Sequence, residues 1–552
     1  SELPVGVIHR ILSYLPTTKD VVATSVLSKP LLRAYSSFPI TDFSASNCGC
    51  SIEDANERNI KKFFVNRRNF LKFVADSLAR QLKEYSCIRS FHLSLSLHFA
   101  DLNTVHLYRR IDNLLPLVTY NPQSLDCIHL DFTTVLTTDG KPFDYAYLYP
   151  VPETLSTNCF ACTSLGFGGC SFRALDESTI CWPSLQVLSV DHSYVADSMI
   201  QNLGNICPLL HTLTLSYCTG LSSFNLIGLD KLNNLKLVDN NFTDRTIIKI
   251  DHAPSLQYLY CRGISKDGHI HLGRCEKLEV IKIKTTCVSN HLLQHILSPA
   301  FPALKVLVVT CGVLQTRMDF SSWCLEKLKL IAPNLKEIDI RAPSLHSFKF
   351  IINSDFSFPR LFSLDTTSLS QVEFSFYPSM ELYAFRFLMM REFLAKLNHP
   401  SITLNLLWSR RVTYLFPDNF KGNVPSLPCI KNLELKIAYR TERLKSPVDK
   451  SHEALVDGLL LMCHPESILL ELGYGSNSDC IVAFIEKLRH RYETRDCCSY
   501  THIRCWRHDL EDFEMECLGQ NGDIKALPKS LNSMQWLAPE DKICFRLRWC
   551  TI

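Results

Sequence analysis

His291 and His295 stand one helical turn apart, with Leu292, Leu293 and Gln294 between them. That spacing places two imidazoles on one helix face, where they could hold zinc. A zinc hydrolase needs a glutamate beside the first histidine as general base, and none is present, so a solvated or core pair is the expectation. Cys159 and Cys162 form a C-x-x-C, but Cys48 and Cys50 lie far upstream and no second C-x-x-C completes four ligands, which favours structural cysteines. Gly166-Phe167-Gly168-Gly169 is not followed by the helix and spacing of a phosphate-cradling loop and reads as a turn. Cys505 and His508 have the composition of a thiolate pair and nothing more. No catalytic set is complete, so the sequence predicts neither bond chemistry nor a metal or cofactor.

Recognition chemistry is better supplied. Tyr258, Tyr260, Arg262, Lys282, Lys284, Lys327, Lys329, Arg341 and Lys349 alternate with apolar residues in short segments. A strand sends them to the face opposite the apolar set. Asp191, Glu337, Asp339 and Glu373 interrupt the series, and Thr212, Thr214, Ser216, Asn234 and Lys236 precede it with blander chemistry. Stacked at the strand spacing of about 4.8 Å, the cations would form a basic track edged by two tyrosines. Lysines also keep a sheet face soluble, and that reading competes with a site for an acidic segment or an anionic small molecule.

The elements that must position these residues follow from a spaced leucine pattern, L-x-x-L-x-L, recurring from about residue 88 to 435. It reads Leu185–Leu188–Val190, Leu210–Leu213–Leu215, Leu232–Leu235–Leu237, Leu278–Ile281–Ile283 and Leu304–Leu307–Val309. First leucines, Leu256 included, recur at 22 to 26 residues from Leu185 to Leu304. This is the period of leucine-rich repeats, which stack into a curved solenoid with an extended concave surface. Cys218 and Asn240 stand three positions after the last leucine of their strands, where small polar side chains can satisfy backbone groups. Leu325–Leu328–Leu330, Leu335–Ile338–Ile340 and Leu345–Phe348–Phe350 lie ten residues apart, which leaves no room for a helix and predicts strands joined by short Pro-set turns. Residues 133–158 read as a long loop or irregular repeat, and Lys421–Pro428 as a boundary. The expected domains are a head at 1–46, a connector and helix at 47–84, with its polar part at 47–66, repeats at 85–424 and an α/β cap at 425–552.

Composition excludes several classes. Hydrophobic residues make up 46% and charged residues 20%, which is globular, and a formal net charge of +3 gives no general argument for nucleic acid or a membrane surface. The 24 cysteines are scattered through a long chain without an apolar signal stretch, which predicts a reducing nuclear or cytoplasmic setting. Apolar runs fall short of the roughly 18 residues that a membrane span needs. The chain begins at Ser1 rather than Met, which implies a few preceding native residues.

The first 43 residues differ from the rest. Pro4 suits a first helical position, and Val5, Ile8, Ile11, Leu12 and Leu15 follow at helical spacing until Pro16. Thr17 and Asp20 fit a capping box for a second helix carrying Val21, Val22 and Val26, and Leu31, Leu32 and Tyr35 suit a third. Three short helices carry more apolar surface than they can hide from one another.

Leu3-Pro4, Ile11-Leu12-Ser13-Tyr14-Leu15-Pro16-Thr17, Lys19-Asp20-Val21-Val22 and Thr24-Ser25-Val26-Leu27-Ser28-Lys29 resemble a plant F-box. With the repeats behind it, and Cys505 to Glu516 resembling a closing FBD motif, the chain resembles plant F-box/leucine-rich-repeat proteins with a C-terminal FBD region. It departs from the pattern at Pro30-Leu31, where an Arg-Trp pair commonly follows Ser-Lys. The resemblance implies an α/β fold with a three-helix F-box, a repeat solenoid and a cap. It implies docking on a Skp-type adaptor of a cullin–RING ubiquitin ligase while the repeats hold a protein substrate. Leu3, Pro4, Ile8, Ile11, Leu12, Leu15, Val22 and Val26 become adaptor-contact or F-box core positions. A small-molecule receptor using the basic track and a non-ligase scaffold are the alternatives.

Overall fold

The structure is a computed structural model that describes residues 3–12, 14–15, 18–36, 38, 40–45, 60–85, 88–97, 104–132, 148–175, 180–240, 247–264, 269–288, 290–314, 317–331, 335, 337–353, 360–366, 368–377, 381–397, 399, 401–408, 413–415, 426–428, 430–439, 451–472, 479–490, 506–518, 523–527 and 542–550. It divides into two compact units, Ser1–Leu278 and Glu279–Ile552.

The first unit opens with helices α1 (Val5–Leu12), α2 (Thr18–Ser25) and α3 (Lys29–Ser36). Ile8, Leu12, Val21, Ala34 and Phe38 close a small core, with Leu15, Leu31 and Tyr35 packed against it. Pro30 lies in the first turn of α3, where its missing N–H leaves no helical bond unmade. The Leu31 N–H donates to the Ser28 hydroxyl at 3.3 Å. The departure at Pro30-Leu31 therefore leaves the third helix formed. Pro16 and Thr17 lie outside the described residues.

Helix α4 (Ile60–Tyr85) begins earlier than the polar composition of 47–66 predicts. Phe63, Phe70, Leu71, Val74 and Leu78 recur on one helical face and are buried, so apolar spacing extends the helix back through Lys61 and Lys62. The acidic part of that stretch, Glu53, Asp54 and Glu57, lies outside the described residues.

Parallel strands follow in register: β1 (Ile40–Ser44), β2 (Ser90–Ser94), β3 (Cys127–Asp131), β4 (Ser164–Gly168), β5 (Val187–Asp191), β6 (Thr212–Ser216), β7 (Asn234–Val238) and β8 (Tyr258–Ile264). Leu188, Leu213, Leu235 and Leu259 occupy one row, and Val190, Leu215, Leu237 and Cys261 the next, all buried. Each such burial stabilises by roughly 1.5–3 kcal/mol for a leucine-sized side chain. Helix α5 (Asp197–Ile206) fills one return segment, burying Met199, Ile200, Leu203 and Ile206. Later returns are strands, Phe224–Leu226, Ile247–His252 and His269–Arg274, which pair as a second parallel sheet. The expected loop at 133–158 contains a helix, Glu153–Asn158, and 133–147 lie outside the described residues.

Polar rungs bind the coils together. Asn240 accepts from the Cys218 N–H at 2.9 Å and donates to the Leu215 carbonyl at 3.1 Å. Ser193, equivalent two repeats earlier, accepts from the Cys170 N–H at 2.9 Å and donates to the Asp191 carbonyl at 2.7 Å.

In the second unit the parallel strands are β9 (Val280–Val288), β10 (Val306–Leu314), β11 (Lys327–Ile331), β12 (Ser347–Asn353), β13 (Gln371–Tyr377), β14 (Ser401–Trp408), β15 (Asn432–Tyr439) and β16 (Ser467–Leu472). The ten-residue rhythm has an unexpected meaning. Leu325–Leu328–Leu330 and Leu345–Phe348–Phe350 belong to neighbouring strands of this sheet, β11 and β12. Leu335–Ile338–Ile340 lies between them in sequence but belongs to another sheet, whose strands are Arg317–Ser321, Glu337–Arg341 and Arg360–Asp365. Leu328, Leu330, Ile338 and Ile340 are all buried, so one coil uses the motif twice.

Strand β15 matches β14 over its full length, so the sheet continues past the expected boundary near 425. Its last parallel strand, β16, pairs antiparallel with β18 (Lys542–Trp549), which pairs with β17 (Leu510–Leu518). The segment resembling the FBD motif thus lies one strand beyond the strand that pairs with β16. An antiparallel pair there satisfies donors and acceptors that an open edge would expose.

Candidate functional site

The head leaves much of its apolar surface uncovered. Leu3, Val5, Val7, Ile11, Tyr14, Val26, Leu27 and Leu32 are exposed, Val26 and Leu27 at 79% and 72%. Pro4 is exposed as well, whereas Ile8 and Leu12 are inside the head's own core and Leu15 is half-buried. The side chain of Val22 lies outside the description. Seven of the eight predicted positions therefore separate into supporting and outward-facing groups.

The predicted basic track is not one row. Lys329 and Lys349 are paired register positions of β11 and β12, and Lys282 reaches the same row through Val308 of β10. Lys284 and Lys327 flank this row on β9 and β11. Burial and the neighbouring Lys349 and Lys282 charges lower the Lys329 pKa, with Glu373 opposing them. Glu373 bonds Lys349 instead and also accepts from Asn405. Further along, Lys436 bridges Glu434 and Glu471 at 3.3 and 3.6 Å, and Lys542 reaches Glu471 at 2.9 Å. Glu373, Glu434 and Glu471 are thus matched by cations, while among the described residues Lys284, Lys327 and Lys329 have no salt-bridge partner.

Arg341 does not join them. It belongs to the Glu337–Arg341 strand of the other sheet and pairs with Asp339 at 3.5 Å. The ten-residue motif spacing concealed this, because a half-coil shift leaves the leucine pattern unchanged.

Tyr258, Tyr260 and Arg262 belong to the first unit, on β8. Arg262 Nε contacts Asp239 Oδ2 at 2.8 Å, and Lys236 Nζ is 6.0 Å from the Tyr260 ring centroid. The same face carries a histidine–carboxylate cluster that the spacing of individual residues did not reveal. His92 and His129 occupy one register row with rings 4.7 Å apart, and His92 contacts Asp42 at 2.8 Å. Register alone could have found them, since Asp42, His92 and His129 are equivalent positions of β1, β2 and β3. Burial first, then the His92 charge, pushes the His129 pKa down against Asp131, Asp42 and Asp191. His192, just beyond β5, is pushed up by its 2.7 Å hydrogen bond to Asp191.

Gly166 and Gly168 lie within β4 rather than in the expected turn. A Cβ at Gly166 would meet the His129 ring at 2.9 Å, and one at Gly168 would meet Asp131 Oδ1 at 2.7 Å. Glycine is required because these neighbouring side chains use the space above the strand.

The candidates for bond chemistry resolve differently. Cys159 and Cys162 are buried free thiols whose mutual hydrogen bond, then burial, raises the Cys159 pKa, which disfavours the reactive thiolate. His291 and His295 lie on α6 (Asn290–Ile296), with the His295 ring 5.4 Å from Phe301. Cys48, Cys50 and Cys505 lie outside the described residues. Among the described residues no group of three or more His, Cys, Asp or Glu side chains could hold a metal ion, and no helix is long and apolar enough to cross a membrane.

Residues 135–291 match the family model described as the LRR repeats of FBD-associated F-box protein At5g56370. The chain is 24% identical over 240 residues to F-box/LRR-repeat protein 25 of Arabidopsis thaliana, covering 43% of this chain and 74% of that protein. It is 24% identical over 352 residues to the putative F-box/LRR-repeat protein At5g02930 of the same plant, covering 62% of this chain and 63% of the relative. The resemblance to plant F-box/leucine-rich-repeat proteins with FBD-associated repeats, first read from short motifs, is borne out by these matches.

Proposed function

We propose that this chain, similar to plant F-box/leucine-rich-repeat proteins, is the substrate-recognition subunit of an SCF-type ubiquitin ligase. The head binds a Skp-type adaptor, the polar sheet faces bind a protein target, and a separate catalytic module transfers ubiquitin. Lys282, Lys284, Lys327, Lys329 and Lys349 of the second unit, and Tyr258, Tyr260 and Arg262 of the first, are the target-contact candidates; Arg341, on another sheet, is not.

The observation carrying this reading is the head's division of labour. Ile8, Leu12, Val21, Ala34 and Phe38 give the helices a core, while Ile11, Val26 and Leu27 remain uncovered on the same helices or just beyond them. An apolar surface that the fold does not cover favours association by removing it from water.

The test is co-purification of the full chain with a Skp-type adaptor. Ile11→Asp combined with Val26→Asp is expected to abolish it without altering the fold of the repeats. Failure of the wild-type chain to retain adaptor would instead favour a scaffold outside the ligase.

A further inference from the structure

In the first unit, strands β4 to β8 run into a ladder of left-handed backbone. Gly169 (φ 64°), His192 (φ 45°), Tyr217 (φ 52°), Asp239 (φ 41°) and Gly263 (φ 83°) follow the paired positions Gly168, Asp191, Ser216, Val238 and Arg262. Their backbone task is shared. The N–H groups of Gly169, His192, Tyr217 and Asp239 donate to the carbonyls of Asp191, Ser216, Val238 and Arg262 at 2.7–2.9 Å. Glycine adopts this conformation readily, whereas a side chain there is strained. Three successive coils nevertheless retain a histidine, a tyrosine and an aspartate, and retained strain points from structure toward function.

Those side chains are ordered by one another. The His192 and Tyr217 rings stack at 4.6 Å with an interplanar angle of 20°. Asp191 anchors His192 through Nδ1 at 2.7 Å, and Asp239 anchors Arg262 through Nε at 2.8 Å. Each side chain is held in place by a carboxylate, which reduces the entropy lost when it meets a ligand. His192 is exposed and Tyr217 is 41% exposed, so the stack faces solvent rather than filling the core. Lys236 beside Tyr260 extends the cationic side toward β8.

We propose that His192, Tyr217, Lys236, Asp239 and Arg262 form a protein-recognition hot spot for an acidic segment carrying an aromatic side chain. The aromatic group packs against the Tyr217–His192 stack, and the neighbouring carboxylate meets Arg262 and Lys236. Tyrosine and arginine commonly concentrate binding energy at protein interfaces, because they offer large area and several donors. This rests on the reading that the repeats hold a protein and is independent of adaptor docking.

The probe is a library of random dodecapeptides displayed on phage and selected on the full chain. Sequences with Asp or Glu near Phe, Tyr or Trp are expected to enrich. Synthetic peptides from that pool should bind a His192→Gly/Tyr217→Gly variant at least about tenfold more weakly, with its melting temperature within about 2 °C of wild type. Equal binding by the variant, no such enrichment, or a far lower melting temperature overturns the proposal, the last by assigning the side chains to the fold. Adaptor co-purification measured in parallel separates this outcome from failure of the ligase reading.

Discussion

Leu12 and Ile11 are chain neighbours with opposite surroundings: Leu12 is 2% exposed and Ile11 is 48% exposed. Leu12→Asp places a carboxylate against Ile8, Val21 and Ala34, and unpaired burial of charge costs several kcal/mol, enough to unfold three short helices. Ile11→Asp leaves that core intact. Hydrogen exchange across residues 5–36 should rise strongly in the first variant and change little in the second. Equal protection loss in both would place Ile11 inside the head. The histidines give a second contrast. Asp191 raises the His192 pKa, so that group contributes stability below its unfolded pKa and loses it as pH rises through the folded value. His129 is lowered by burial, so it opposes folding as pH falls through its unfolded pKa toward its folded one. Histidine-selective NMR should therefore find His192 titrating above His129, and Asp191→Asn should narrow the gap; the reverse order would refute the assigned surroundings. The alternation of β1–β3 made Asp42, His92 and His129 available to sequence reading, but their proximity required the register between distant segments. Gly166 and Gly168 misled for a related reason, because their cause is the bulk of His129 and Asp131 one strand away.

Elements with the same leucine spacing serve two sheets. Ile338 and Leu328 are both buried at 1% exposure or less, one in the Glu337–Arg341 strand and the other in β11. If the former were only a linking turn, its truncation would be mild. As a sheet strand covering the core, Ile338→Ala should cost about 2–5 kcal/mol, comparable to Leu328→Ala. Urea unfolding of both variants checks this, and a loss below about 1 kcal/mol for Ile338→Ala would contradict a packed second sheet. The period near 22–26 residues made the main strands legible, since each repeat returns a leucine set to the same buried layer. The second sheet was hidden because inward alternation looks identical from either side. Asn240 was legible as a structural residue because its position recurs relative to the leucines, and its two bonds to the preceding coil bear that out.

At the scale of the whole molecule, the small net charge of +3 conceals a local imbalance. Glu373, Glu434 and Glu471 are paired with Lys349, Lys436 and Lys542, whereas Lys284, Lys327 and Lys329 have no salt-bridge partner among the described residues. Such a field acts over about a Debye length, about 8 Å at physiological ionic strength, so it selects partners that reach the sheet. The combined reversal Lys282→Glu, Lys284→Glu and Lys327→Glu alters a solvated face and leaves the buried Leu328–Leu330 layer untouched. Folding should survive, while target capture falls and loses its dependence on salt. A chain carrying Ile11→Asp and Val26→Asp is the suitable background, because on the proposed ligase reading a receptor detached from its adaptor would hold targets without delivering them. Proximity labelling from that background, with and without the three reversals, should give different protein sets. An unchanged set would reduce the lysines to keeping the sheet soluble and would move target recognition to the first unit.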